Sequence, residues 1–172
     1  MTFLPNIRIF TPIAAIVMLI GCTPVNTADY SATAKTTYIW RVEYDNGSDR
    51  TPGRIEAFAT TNLVTYNGVK PDGAVTGPDE QGLFWPALPP KPTVDAIEQR
   101  NTAYNEAPKA PLLHKDVTYN VTYNRAGETV TVPTNYDVYR TIVKNAKTQT
   151  PLKFTLGIDD KRVEKAEPID SN

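Results

Sequence analysis

The stretch DVTYNVTYN, residues 116–124, puts Val117, Tyr119, Val121 and Tyr123 at every second position, with polar residues between them. A period of two gathers these side chains on one face of a strand, which no helix can do. RAGE then turns and TVTVP returns, so the segment reads as a hairpin. TTYIWRVEY alternates in the same way, with Tyr38, Trp40, Val42 and Tyr44 on one side and Arg41 and Glu43 on the other. PLKFTLGID does so through Leu152, Phe154, Leu156 and Ile158. RIEAFAT is a weaker partner strand, reached through the turn formers of DNGSDRTPG. NLVTYNGVKPDG is a short apolar stretch carrying the tight-turn pair Asn67-Gly68.

Helical signals are fewer. Thr93 can cap a helix from Val94 to about Asn105, with Asp95 in its first turn and Val94, Ile97 and Tyr104 near one face. YDVYRTIVKN is ambiguous. Tyr139, Ile142, Val143 and Ala146 fit a helical face, whereas the β-branched and aromatic content favours a strand. Between Val69 and Thr93 periodicity is lost, and WPALPPKP reads as an extended strap across the surface. V-T-Y-N occurs three times, at Val64, Val117 and Val121, but two copies are adjacent, so strand alternation explains it better than a repeat unit. These elements predict a mainly β chain, an antiparallel sandwich-like domain with one short helix and proline-rich loops. An α+β layout with two helices on one sheet is the alternative.

The N-terminus carries a different signal. Arg8 precedes the uncharged run Ile9–Ile20, which is too short to cross a bilayer and contains Pro12. A basic start, a short apolar run and a small residue before a cut describe a secretory leader. Leu19-Ile20-Gly21-Cys22 resembles the lipobox of bacterial lipoproteins. That resemblance implies cleavage by signal peptidase II between Gly21 and Cys22. It also implies a thioether-linked diacylglyceryl group on Cys22, which then becomes the mature N-terminus. Two or more buried acyl chains anchor stably where one binds marginally. Thr23 is not the aspartate associated with inner-membrane retention, so in a Gram-negative cell the expected location is the outer membrane, facing the periplasm.

The expected organisation is a signal peptide at 1–21, a lipidated tether at 22–35, one β-rich domain at 36–158 and a polar tail at 159–172. The chain's length suits a single domain with a real core.

Composition narrows the chemistry. Eighteen basic against nineteen acidic residues give a net charge of −1, so no field steers the chain to nucleic acid. Cys22 is the only cysteine and His114 the only histidine. With Ser31 and Ser171 in the expected tether and tail, and Ser48 in a turn, no hydrolytic triad is expected. His114, beside Lys115 in an expected loop, reads as a surface residue. A zinc site lacks ligands. Asp45–Asp49 and the pair Asp79, Glu80 have some calcium-loop flavour without the spacing, and no cofactor is expected. Glu43, Glu56 and Asp116 are candidate acids whose convergence the sequence does not determine. The strand aromatics read as core. Phe84 and Trp85 differ, because they lie in the proline-rich strap, where they either pin it to the core or form an interaction site. The expected partners are the membrane, through Cys22, and other envelope proteins. The expected role is structural or interactive rather than enzymatic, the alternative being a glycan- or small-molecule-binding lipoprotein that uses an aromatic surface including Trp40 or Trp85.

Overall fold

A computed structural model describes residues 24–47, 52–101 and 106–169. The lipobox and Cys22 lie outside the described residues. The chain is mainly β, and its described residues form two antiparallel sheets and two α-helices, one of them short. Strands β1 (Pro24–Thr27), β7 (Leu152–Leu156) and β8 (Val163–Pro168) form a three-stranded sheet in the order β1-β7-β8. Strands β2 (Tyr30–Asp45), β3 (Arg54–Tyr66), β5 (Leu112–Arg125) and β6 (Glu128–Thr134) form the larger sheet in the order β3-β2-β5-β6. The two-residue β4 (Ala107–Pro108) pairs with the end of β2.

β2 spans 16 residues and organises the molecule. Its even-numbered side chains face inward: Ala32, Ala34, Thr36, Tyr38, Val42 and Tyr44 are all buried. That one face is covered from end to end by different pieces. Helix α2 (Tyr136–Asn145) and the small sheet pack near Ala32 and Ala34, around Val121, Tyr123, Ile142, Leu152, Phe154 and Leu156. The strap covers the middle, where the buried Thr36 hydroxyl donates to the Phe84 carbonyl at 2.7 Å and Tyr38 packs on Trp85. Helix α1 (Val94–Glu98) covers the far end through Ile97, against Val42 and Tyr44.

Several expectations change. Residues 24–35, read as a tether, form β1 and the first part of β2. The dry face there is built from alanines, which are small enough to sit beneath a close-packed helix, so hydropathy hid the alternation. The expected polar tail holds β8, which hydrogen-bonds along β7 and buries Val163. β7 stops at Leu156, and Ile158 sits in a 3-10 turn (Ile158–Asp160) at 84% exposure instead of extending the strand face. RIEAFAT and the start of NLVTYNG are one strand, β3, whose register on β2 shifts between Ile39 and Arg41.

The ambiguous segment 136–145 is a helix. Asn135 caps it by accepting the Val138 N–H at 3.0 Å, and Val138, Tyr139 and Ile142 are buried on one side. A cap and a dry face outweigh the β-branched content there. α1 starts as expected, with Thr93 accepting the Ala96 N–H, but it ends at Glu98. Only Ile97 of its residues is buried, which is little packing to sustain a longer helix. Tyr104, counted on that helix, lies outside the described residues. Asn67 and Gly68 turn as expected with φ of 47° and 72°. A Cβ on Gly68 would lie 2.6 Å from the Val143 side chain, so the turn sits tightly against α2.

Candidate binding groove

Phe84 and Trp85 are each 7% exposed, so the strap is pinned by them. As a freely projecting interaction pair they are corrected by the structure. The physical reason is the long dry face of β2, whose middle no other described element covers. Trp85 stacks at 4.9 Å on Tyr38, with the Lys115 ammonium 5.0 Å from its ring. Its backbone bridges to Thr76.

Asp79 organises this part of the strap. One carboxylate oxygen accepts the Gln81 and Leu83 N–H groups at 3.0 and 2.9 Å, and the other accepts the Trp85 indole N–H at 2.8 Å. Partial burial pushes the Asp79 pKa up. The indole, the two amides and Lys115 outweigh that and hold it below the usual carboxylate range. With the folded-state value depressed, the unfolded chain takes up the proton first as the medium is acidified. The contribution to stability is therefore complete above about pH 4 and lost as pH falls through the folded value. Trp85 emission is expected to change below about pH 4, with that step missing in Asp79→Asn. A step of the same size in the variant would refute the assignment.

Between the strap and α2 lies a cavity of about 330 Å³. The strap contributes Pro78, Gln81 and Phe84, and α2 contributes Tyr139, Arg140, Val143 and Lys144. The helix residues fall at spacings of three and four, which puts them on one stripe. Phe84 thus has a second role, since the edge it does not bury in the core lines this groove. Arg140 donates to the Tyr136 hydroxyl at 2.8 Å, and that hydroxyl donates to the Gln81 carbonyl at 3.3 Å, tying helix to strap. No carboxylate lines the groove, and neither Arg140 nor Lys144 forms an ion pair among the described residues. Burial pushes the Tyr139 hydroxyl up to about 12, with the Tyr119 hydroxyl adding to it and the Gly68 amide opposing it. That buried oxygen makes no well-formed hydrogen bond among the described residues. The groove is therefore apolar inside and cationic at the helix.

The other candidates are dispersed. His114 lies on β5 opposite Ile39, not in a loop, because the strand begins four residues earlier than the clear alternation. Glu43 pairs with Lys109 at 2.8 Å, and Asp116 pairs with Arg41 at 3.3 Å on the uncovered face of the sheet. Glu56 stands opposite Val42 on the covered face, among Arg54 and Arg100. The three acids do not converge. Asp45 accepts the Gly47 N–H in a turn and meets Lys109, while Ser48 and Asp49 lie outside the described residues. Among the described residues no three His, Cys, Asp or Glu side chains gather in a metal-binding arrangement. Trp40 is half-buried, its indole N–H donating to the Pro89 carbonyl at 3.0 Å. Sequence reasoning missed Arg140 and Lys144, whose helical spacing was the one available signal.

No family model, curated protein or solved structure matches the chain.

Proposed function

We propose that the chain is a lipid-anchored cell-envelope protein with a non-enzymatic, protein-interaction role, and that the groove between α2 and the strap receives a partner. The observation that carries this reading is an apolar cavity beside two cations, Arg140 and Lys144, that meet no carboxylate among the described residues. A cavity of 330 Å³ accepts one large apolar side chain, the kind of anchor that dominates protein interfaces. Arg140 and Lys144 select carboxylates beside that anchor. The lipobox resemblance of Leu19–Cys22 supplies the membrane attachment.

A photo-crosslinking residue at Gln81, in cells or solubilised envelope, tests the groove. A discrete protein adduct is expected. In an Arg140→Glu, Lys144→Glu variant its yield should fall roughly 10- to 100-fold, the equivalent of losing one or two charge-assisted contacts. Both side chains are exposed, so the fold should survive the change. An adduct that forms equally well with reversed charge would defeat this account of the groove.

A second reading, a small-molecule-binding lipoprotein, draws on the same volume, which lies at the lower end of the range of about 300–1,000 Å³ for ligand pockets. Native mass spectrometry would then show a small anionic adduct, with no protein crosslink.

A further inference from the structure

The 3-10 turn between β7 and β8 presents Ile158 almost fully to solvent, at 84% exposure. The turn is not a loose loop. Gly157 and Arg162 close it through a backbone hydrogen bond at 2.9 Å, and Arg125 grips Asp160 at 2.7 Å from the β5–β6 end. Asp159 and Asp160 both hold left-handed backbone, with φ of 57° and 56°, which is uncommon for a side chain other than glycine. A hydrogen-bonded turn of uncommon backbone thus displays one large apolar side chain.

Its position gives that display a meaning. β1 runs antiparallel to β7 with Pro24 opposite Thr155. Followed backward from Pro24, the chain leaves the sheet at the end where β7, followed forward, reaches Ile158. Covalent geometry keeps Cys22 within about 7 Å of Pro24, and Ile158 within roughly 10 Å of Thr155. Neighbouring strands are about 5 Å apart. With β1 beginning two residues after Cys22, no long tether separates an acylated Cys22 from the domain.

We infer that the Ile158 turn is a second membrane contact, seated in the headgroup region of the bilayer that holds Cys22. The inference rests on the lipid-anchor reading. The turn's cations are matched by acids, Lys161 with Asp159 and Arg162 with Glu164, so contact comes from the apolar side chain and the nearby anchor, with little preference for anionic lipid. The domain is thereby oriented, with β2 carrying α1 away from the membrane.

The experiment uses the mature, membrane-processed protein in phosphatidylcholine vesicles. An acylated Cys22 takes no thiol reagent, so Ile158→Cys can be labelled alone with an environment-sensitive fluorophore. Val94→Cys serves as the distal control, since Val94 is 68% exposed at the α1 end. Blue-shifted emission and several-fold stronger quenching by headgroup-nitroxide lipid are expected at position 158 relative to position 94, and equally so with added anionic lipid. Equal, solvent-like emission at both positions, with wild type refusing the label, overturns the membrane contact while leaving the anchor intact. Labelling of wild type at Cys22 overturns the anchor and this inference together.

Discussion

Phe154→Ala is expected to cost about 3–5 kcal/mol of stability, the usual range for a fully buried phenylalanine. At roughly 2–4 °C per kcal/mol for a domain of this size, the thermal midpoint should drop by about 10 °C. Phe154 is fully buried in the centre of β7. Tyr30 of β2 meets it edge-on at 6.1 Å and Tyr123 of β5 at 5.4 Å, so one ring joins the small sheet to the large one. Tyr30 in turn donates to the Thr150 carbonyl at 2.6 Å, at the entrance to β7. Removing Phe154 opens a cavity where the two layers meet, and both tyrosines lose their packing partner. Leu112→Ala, at 64% exposure, is the control and should stay within about 0.5 kcal/mol of wild type. Urea titrations followed by circular dichroism measure both. Equal costs for the two variants would mean that the small sheet does not pack as described.

Cys22→Ala is expected to abolish acylation and block cleavage of residues 1–21, so that an unlipidated precursor accumulates. The retained leader could still bind membrane. The cleaner form of the experiment replaces residues 1–22 by an ordinary cleaved secretory leader. The domain should then move from the detergent phase to the aqueous phase almost completely. In the proposed anchor two buried acyl chains hold the protein stably, and a lone Ile158 contact would not replace them. No helix among the described residues is long and apolar enough to cross a membrane. Detergent-phase partition measures the shift, and a domain that stays in the detergent phase without Cys22 would require another anchor.

Strands were legible wherever large side chains alternate. Val117 to Tyr123, Tyr38 to Tyr44 and Leu152 to Leu156 all lie in strands, each with one inward face. Legibility failed where the inward residues are small. Ala32 and Ala34 are as buried as Val42, yet their weak hydropathy made residues 30–35 read as tether. It failed again where pairing rather than pattern makes the strand. β8 reads VEKAEP, and it is held by β7 with only Val163 buried. The groove was half legible. Phe84 drew notice as an apolar residue in a proline-rich loop, but its neighbours Arg140 and Val143 come from a helix more than fifty residues away. Only tertiary packing brings them together. The ambiguous segment 136–145 turned on Asn135, a cap that the apolar period alone does not reveal.

The central claim is that a folded binding domain hangs directly from a lipidated Cys22. Intact mass of the mature protein, purified from membranes with mild detergent, tests it most directly. The account predicts a chain that begins at Cys22 and carries a diacylglyceryl group on its sulfur. A mature chain with an unmodified Cys22, or one cleaved elsewhere, would contradict it.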